Sequence, residues 1–131
     1  MANVLYPKFK QNLLEGDVDI PLGTVNAYLV DLADYTYSAT HELIADLPVA
    51  ARVSSVACAG QTVTDGTLDV TSPFVFSTVT GDASEAVIIS VDSGGSEFLA
   101  AYYDTDVSGL PVTPNGGDIT VAVNASGLFD L

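Results

Sequence analysis

The sequence predicts a mainly β protein, a single-domain antiparallel β-sandwich or barrel with one or two short helices in the N-terminal third. From residue 52 onward, short strand-like runs follow one another, separated by turns rich in Gly, Asp and Pro. The chain has 131 residues, of which 48% are hydrophobic, enough for one domain with a core that needs no disulfide. We therefore expect one domain over residues 1–131, with a helical segment over 1–20 and a β body over 21–131.

The first predicted element is a short helix over residues 7–15. Pro7 suits the first helical position, and Gly16 suits the position just after the last turn. Phe9 and Leu13 fall on one face at i, i+4 spacing. Because a helix of two turns is marginal in water by itself, it needs a surface to lie on. The N-terminal segment is thus either an arm that contacts a partner or a cap over one open end of the sandwich.

Four residues of this helix are candidate partner contacts. Lys8 and Lys10 are two of only three basic residues in the chain, and they would give a modest, salt-sensitive attraction to an acidic surface. Phe9 and Leu13 would supply the larger, apolar part of such a contact.

The rest of the N-terminal third predicts one strand and one further helix. Residues 24–32 alternate as a strand, and because both of its faces are apolar, we expect an interior strand. A loop over 34–38 follows. Residues 40–47 are predicted to form a second short helix that Pro48 ends. Its apolar stripe would consist of Leu43, Ile44 and Leu47.

The remainder of the chain predicts eight short strands. They lie over residues 52–58, 61–64, 67–70, 73–79, 85–91, 97–103, 118–123 and 128–131. Asp65 and Gly66, between two alternating runs, predict a tight type I′ hairpin, because both residue types tolerate positive φ. Ile88 and Ile89 mark the expected central core strand. Aromatic bulk for the core would come from Phe74, Phe76, Phe98, Tyr102 and Tyr103.

The charge and hydropathy of the chain exclude several classes of protein. Seventeen acidic residues oppose three basic ones, giving a net charge of −14, which repels phosphate backbones and argues against a nucleic-acid partner. No signal peptide or membrane-spanning run is evident, so we expect no membrane partner and synthesis in a cytoplasm. A mean hydropathy of +0.38 predicts much buried apolar surface, partly against other subunits, although a monomer with a Ser/Thr-rich exterior fits too.

Catalytic and metal-binding patterns are sparse. His41, the only histidine, lies in no nucleophile motif, so a surface or helix-capping role is expected. One His and one Cys cannot form the usual zinc site, and Cys58 is interpreted as a free buried thiol. Three acidic pairs have loop-compatible spacing for calcium but lack the EF-loop pattern, so solvated acids are the simpler interpretation. These pairs are Asp17 with Asp19, Asp31 with Asp34, and Asp104 with Asp106. We predict no enzyme, no cofactor and no metal.

Five sequence blocks, taken in order, resemble a family of small structural proteins from the virions of tailed bacteriophages. They are LYPKFKQNLLEGDVD (5–19), VNAYLVDLADYTYS (25–38), QTVTDGTLD (61–69), EAVIISVD (85–92) and GLPVTPNGGDIT (109–120). The specificity comes from the order of the blocks rather than from any one of them. The family often ends in a Trp-Asp-Asn-Gly strand and a basic apolar tail, whereas residues 121–131 here contain no Trp and no terminal base.

The resemblance implies a function in the virion and no catalytic residues. The chain would be a capsid decoration, or cement, protein on the capsid exterior, where it binds the major capsid protein. It would also self-associate, as a trimer first or a dimer second, since closed symmetric oligomers are the common solution. Two alternatives stay open. One is a tail, baseplate or fibre-associated adaptor, and the other is a module that binds a host receptor or glycan.

Overall fold

The computed structural model describes residues 4–58, 60–70, 74–104, 107 and 109–121, and the backbone of 129–130. The predicted mainly β, antiparallel class is confirmed. The elements in chain order are β1 (Val4–Leu5), α1 (Pro7–Leu14), β2 (Thr24–Val30), two 3₁₀-helices (Ile44–Asp46 and Val49–Ala51), β3 (Arg52–Ala57), β4 (Thr62–Thr64), β5 (Thr67–Asp69), β6 (Phe74–Phe76), β7 (Ala86–Ser93), β8 (Ser96–Tyr103), β9 (Ile119–Val121) and β10 (Phe129–Asp130).

A five-stranded antiparallel sheet, in the order β1-β8-β7-β2-β3, forms the centre of the fold. Strand β7 lies in the middle of it, and every residue from 86 to 91 is buried. This confirms the prediction that Ile88 and Ile89 mark the central strand. Strand β2 lies between β7 and β3, as its two apolar faces predicted, and Ala27 pairs with Ile89 in register. Apolar residues on both faces of β7 mean that both faces of the sheet are covered.

Two smaller antiparallel sheets complete a sandwich-like domain. One has the order β10-β5-β4, and the other pairs β6 with β9. The turn between β4 and β5 has φ of 51° at Asp65 and 83° at Gly66, which confirms the predicted type I′ hairpin. The five aromatic residues assigned to the core are all buried. Of the last two predicted strands, residues 122, 123, 128 and 131 lie outside the described residues.

The N-terminal segment belongs to the core. Helix α1 follows Tyr6 and has Pro7 in its first turn, and Gly16 has φ of 80° just after its end, as predicted. The sequence did not reveal β1, which pairs with β8 at the edge of the large sheet. Tyr6 and Phe9 are fully buried. The prediction of a separate contact arm is therefore wrong for the described residues, because burial of these two rings holds the segment against the sheet.

The predicted second helix over 40–47 is also wrong. Only one 3₁₀ turn forms there, because the backbone of the preceding residues pairs with the edge of β8 instead: the Leu99 amide donates to the Glu42 carbonyl at 2.9 Å. The Asp46 carboxylate accepts the amides of Glu42 and Leu43 and so closes the turn. The guanidinium of Arg52 donates to the carbonyls of residues 44 and 47, which occupies acceptors that a longer helix would use. Of the predicted stripe, Leu47 alone is fully buried.

Candidate functional site

An apolar groove lies between the C-terminal end of α1, the loop over residues 16–22 and the β4–β5 hairpin. Its volume is about 340 Å³. Six of the residues that line it are apolar or proline: Leu13, Val18, Ile20, Pro21, Val63 and Leu68. Val63 and Leu68 are opposite each other in the hairpin register, so both side chains project from the same face of the hairpin.

The loop that forms one wall of the groove is held by hydrogen bonds at both ends. At the end of α1, the amide of Asp17 donates to the Asn12 carbonyl at 2.9 Å, which turns the chain away from the helix. Farther along, the side-chain amide of Gln61 donates to the carbonyls of Ile20 and Gly23, each at 2.7 Å. A wall held in this way is a preformed surface, so binding to it would require little ordering of the loop.

Three exposed apolar residues line the groove or are next in the chain to residues that line it. Leu14 and Leu22 are 90% and 87% exposed, and they are next in the chain to the lining residues Leu13 and Pro21. Val63, on the edge strand β4, is 49% exposed. Single exposed apolar residues are ordinary on protein surfaces, but a group of them beside an apolar groove is typical of a contact site.

One acidic residue lines the groove, and two more are next in the chain to residues that line it. Asp19 lines the groove, where its carboxylate accepts the Leu22 amide at 3.2 Å. Asp17 is exposed and lies between lining residues in the chain, and exposed Asp65 lies at the hairpin tip. None of the described lining residues is basic. The groove is thus an apolar surface with a negatively charged rim.

The four residues predicted to contact a partner differ in burial in the structure. Phe9 is fully buried in the core, so its prediction as a contact is wrong: its ring stabilises the chain's own fold. Leu13 is half-buried and lines the groove. Lys8 and Lys10 are exposed on α1, and Lys8 lies 3.5 Å from the side-chain oxygen of Gln11. Contact of the two lysines with a partner stays a prediction.

The acidic pairs considered for calcium have different environments. Asp31 and Asp34 come together with Asp82, and one carboxylate oxygen of each lies within 4.8 Å of the others. Asp31 is buried, and its carboxylate accepts the Ala33 amide at 2.9 Å, whereas the other two are exposed. Exposed acids often group without an ion, so this arrangement alone is not assigned as a metal site. Asp106 lies outside the described residues.

His41 is half-buried in a cluster of tyrosines, contrary to the expected surface or helix-capping role. Its Nδ1 lies 2.8 Å from the Tyr35 hydroxyl, which in turn lies 2.7 Å from the Tyr6 hydroxyl. The Tyr37 ring packs against those of Tyr6 and Tyr102 at centroid distances of 5.2 and 5.5 Å. Burial is the main cause that raises the pKa of each of these tyrosines. The phenols therefore stay neutral at physiological pH, and the cluster holds loops together.

Cys58 follows β3 and is a free thiol that is half-buried rather than fully buried. Burial raises its pKa to about 11. Because the thiolate is the nucleophilic form, the raised pKa lowers the reactivity of this cysteine near neutral pH.

Sequence reasoning missed most of the groove. Its signal was present in the loop over 16–22, where Val18 and Ile20 alternate with acidic residues. That pattern could not show that the loop would face Val63 and Leu68, which lie some forty positions farther along the chain.

Two comparisons of the sequence with known proteins find no match. No protein-family model matches the chain. No curated protein matches its sequence either. The resemblance to phage virion proteins therefore stays a prediction. Within the described residues, no helix is both long enough and apolar enough to cross a membrane.

Proposed function

We propose that this chain is a structural protein of a bacteriophage virion, a decoration protein that binds the outer face of the major capsid protein and stabilises the head. The observation that carries the proposal is the apolar groove together with the exposed side chains of Leu14, Leu22 and Val63. Such a surface suits a protein that acts by binding another protein. The ordered sequence blocks that resemble phage virion proteins indicate which assembly that is.

The physical character of the domain supports the same role. A decoration protein works by linking coat subunits, so it benefits from a rigid body and a preformed contact surface. The antiparallel sheet around β7 and the tethered loop over 16–22 supply these features. The net charge of −14 would keep decorated particles apart in solution. The chain would sit on the capsid exterior as a symmetric oligomer, with a trimer as the first expectation and a dimer as the second.

The copy number per particle tests this proposal. Particles are purified from cells that carry the gene in its native genome, and the chain is quantified by mass spectrometry against the major capsid protein. A decoration protein is expected at a large fraction of the capsid-protein copy number. A ratio of only a few copies per particle would favour the tail or baseplate adaptor. Absence of the chain from purified particles would overturn the proposal.

Loading in vitro tests the contribution of the groove. Capsids from a deletion strain are mixed with purified protein, and bound protein is measured after sedimentation. We expect Leu22→Ser and Val63→Ser to reduce loading and the heat resistance of the loaded capsids. Val75→Ser is the matched control, because this valine of β6 is 44% exposed, similar to Val63, but does not line the groove. If Leu22→Ser and Val63→Ser load onto capsids as well as the control Val75→Ser, the groove is not the contact surface.

A further inference from the structure

We propose that the groove accepts a protein segment that presents an apolar side chain next to Lys or Arg, and not the same groove of a second copy of this chain. This inference rests on the proposed function, because the groove is the contact surface invoked there. It adds the chemistry of the partner segment.

The size and lining of the groove indicate an apolar anchor. A volume of about 340 Å³ is near the lower end of the range for pockets that hold a ligand group, roughly 300–1,000 Å³. Apolar side chains from α1, the loop and the hairpin line it, for example Leu13, Ile20 and Leu68. An inserted apolar side chain would be removed from water on several sides, which is the usual source of affinity at the centre of an interface.

The acidic rim of the groove also favours a positive charge on the partner segment. Asp17, Asp19 and Asp65 are all exposed and lie on the two walls of the groove or next to lining residues in the chain. A neutral apolar segment would leave these carboxylates beside a newly desolvated surface without a counter-charge. A segment with Lys or Arg beside its anchor would match them, and complementary charge favours encounter and selectivity. The same acidic rim repels anionic lipid headgroups, so a membrane surface is not the occupant.

A second copy of the chain that presents the same groove fits this rim poorly. A twofold contact at the groove would place the same acidic rim against itself, because an isologous interface uses the same patch on both subunits. Each copy carries 17 acidic and three basic residues. One of the three bases, Arg52, donates to the backbone carbonyls of Ile44 and Leu47. A twofold oligomer would therefore use another surface of the domain.

Synthetic peptides test the inference without any virion component. Three short fluorescent peptides are compared by anisotropy: one with a Leu-Phe-Leu centre between lysine pairs, one with the same centre between serine pairs, and one with a serine centre between lysine pairs. We expect the first to bind at least about fivefold more tightly than either of the others, because anchor and charge both contribute. Its binding should weaken as salt rises. Equal binding of the first two peptides would overturn the charge requirement.

Variants locate the binding site. Val63→Ser should weaken binding of the first peptide by about fivefold or more, and Val75→Ser should leave it unchanged. The double variant Asp17→Asn with Asp65→Asn should weaken it by a few fold and flatten its salt dependence. Asn at position 65 retains the turn because it also tolerates positive φ. No binding of the first peptide, or equal binding by wild type and Val63→Ser, would overturn the inference even if the chain is abundant in virions.

The oligomeric state tests whether a second copy of this chain fills the groove. If a second copy filled the groove, Val63→Ser would convert an oligomer to a monomer in light scattering, and the inference would be overturned. An oligomer that persists in Val63→Ser supports it.

Discussion

The hydroxyl groups of Tyr6 and Tyr35 form a buried hydrogen bond of 2.7 Å across 29 positions of sequence. Tyr6 immediately precedes α1, and Tyr35 lies in the loop that follows β2. The Tyr35 hydroxyl also lies 2.8 Å from Nδ1 of His41, so three side chains form one hydrogen-bonded series. This series joins the N-terminal segment to the loop and explains why the segment behaves as core.

Removing the Tyr6 hydroxyl should destabilise the protein modestly. Tyr6→Phe retains the ring and loses one buried hydrogen bond, so we expect the free energy of unfolding to fall by about 1 kcal/mol in urea denaturation. Tyr37→Phe is the control: its ring packs against Tyr6 at 5.2 Å, but its hydroxyl is not part of this series. Equal losses in the two variants would mean that the hydrogen bond contributes nothing specific.

The raised pKa values of the tyrosines predict that the folded protein loses stability at high pH. All six have a raised pKa, with burial as the largest cause, and that of Tyr28 is raised to about 12. In the unfolded chain these phenols ionise near pH 10. Folding therefore favours the neutral phenols, so their contribution to stability is complete below about pH 10 and is lost as the pH rises through the folded-state values.

Two spectra measure this effect together. Tyrosinate absorbance and circular dichroism are followed while the pH is raised from neutral. We expect most of the tyrosinate signal to appear together with loss of the β spectrum, well above pH 10. Ionisation of most tyrosines near pH 10 with the β spectrum intact would contradict the prediction.

The strands of the body were predictable because their signals are local. The continuous apolar runs of β7 and β8 indicate buried strands, and the turns at Gly66 and Gly94 indicate where the chain reverses. Neither signal depends on the rest of the chain. Strand β1 was missed because its two residues show no period. Its position is set by pairing with β8, which is a tertiary effect.

The second helix and the groove show where local reasoning fails. Residues 40–47 have a helical pattern, but pairing of the Leu99 amide with the Glu42 carbonyl outweighs the weak preference of eight residues for helix. For the groove, the sequence identified Leu13 as a contact candidate. It could not distinguish Leu13 from the buried Phe9, because both lie on the same helix face and only the packing shows which one remains partly open.

Phe9 provides a direct test of the N-terminal segment as core. Its side chain is fully buried, so Phe9→Ala should lower the free energy of unfolding by about 3–5 kcal/mol. Leu14→Ala, on the same helix but at a 90% exposed position, should change it by less than about 0.5 kcal/mol. Chemical denaturation of both variants checks the prediction. A loss in Phe9→Ala as small as that in Leu14→Ala would restore the contact-arm interpretation.

The hairpin tip predicts a strong dependence on the residue at position 66. Gly66 has φ of 83°, where a β-branched residue is strained, so Gly66→Val should cost about 1–2 kcal/mol or more. Gly66→Asn is the matched variant, because Asn tolerates positive φ, and most of the stability should remain. Thermal denaturation of the two variants separates these effects. A Gly66→Val protein with the wild-type melting temperature would disprove the hairpin assignment.

Glu97 joins three strands of the central sheet through one carboxylate oxygen. Its Oε1 accepts the hydroxyls of Tyr28 on β2 and Ser90 on β7, each at 2.6 Å, and the side-chain amide of Asn26 at 3.3 Å. Ser90 is fully buried, so this acceptor satisfies a hydroxyl that has little access to water. Loss of the carboxylate therefore affects the pairing of β2, β7 and β8 together.

Substitution of Glu97 should change both stability and the titration of Tyr28. Glu97→Ala removes a charged acceptor and should cost about 1.5–3 kcal/mol, whereas Asp92→Ala, at the exposed position opposite Glu97 in the β7–β8 register, should cost less than about 0.5 kcal/mol. Glu97→Gln retains an oxygen acceptor but removes the charge that disfavours tyrosinate, so the pKa of Tyr28 should fall from about 12 while burial keeps it above its ordinary value. Tyrosinate absorbance of Glu97→Gln, compared with a Tyr28→Phe reference, measures this shift. An unchanged Tyr28 titration in Glu97→Gln would show that the carboxylate is not the hydrogen-bond acceptor in solution.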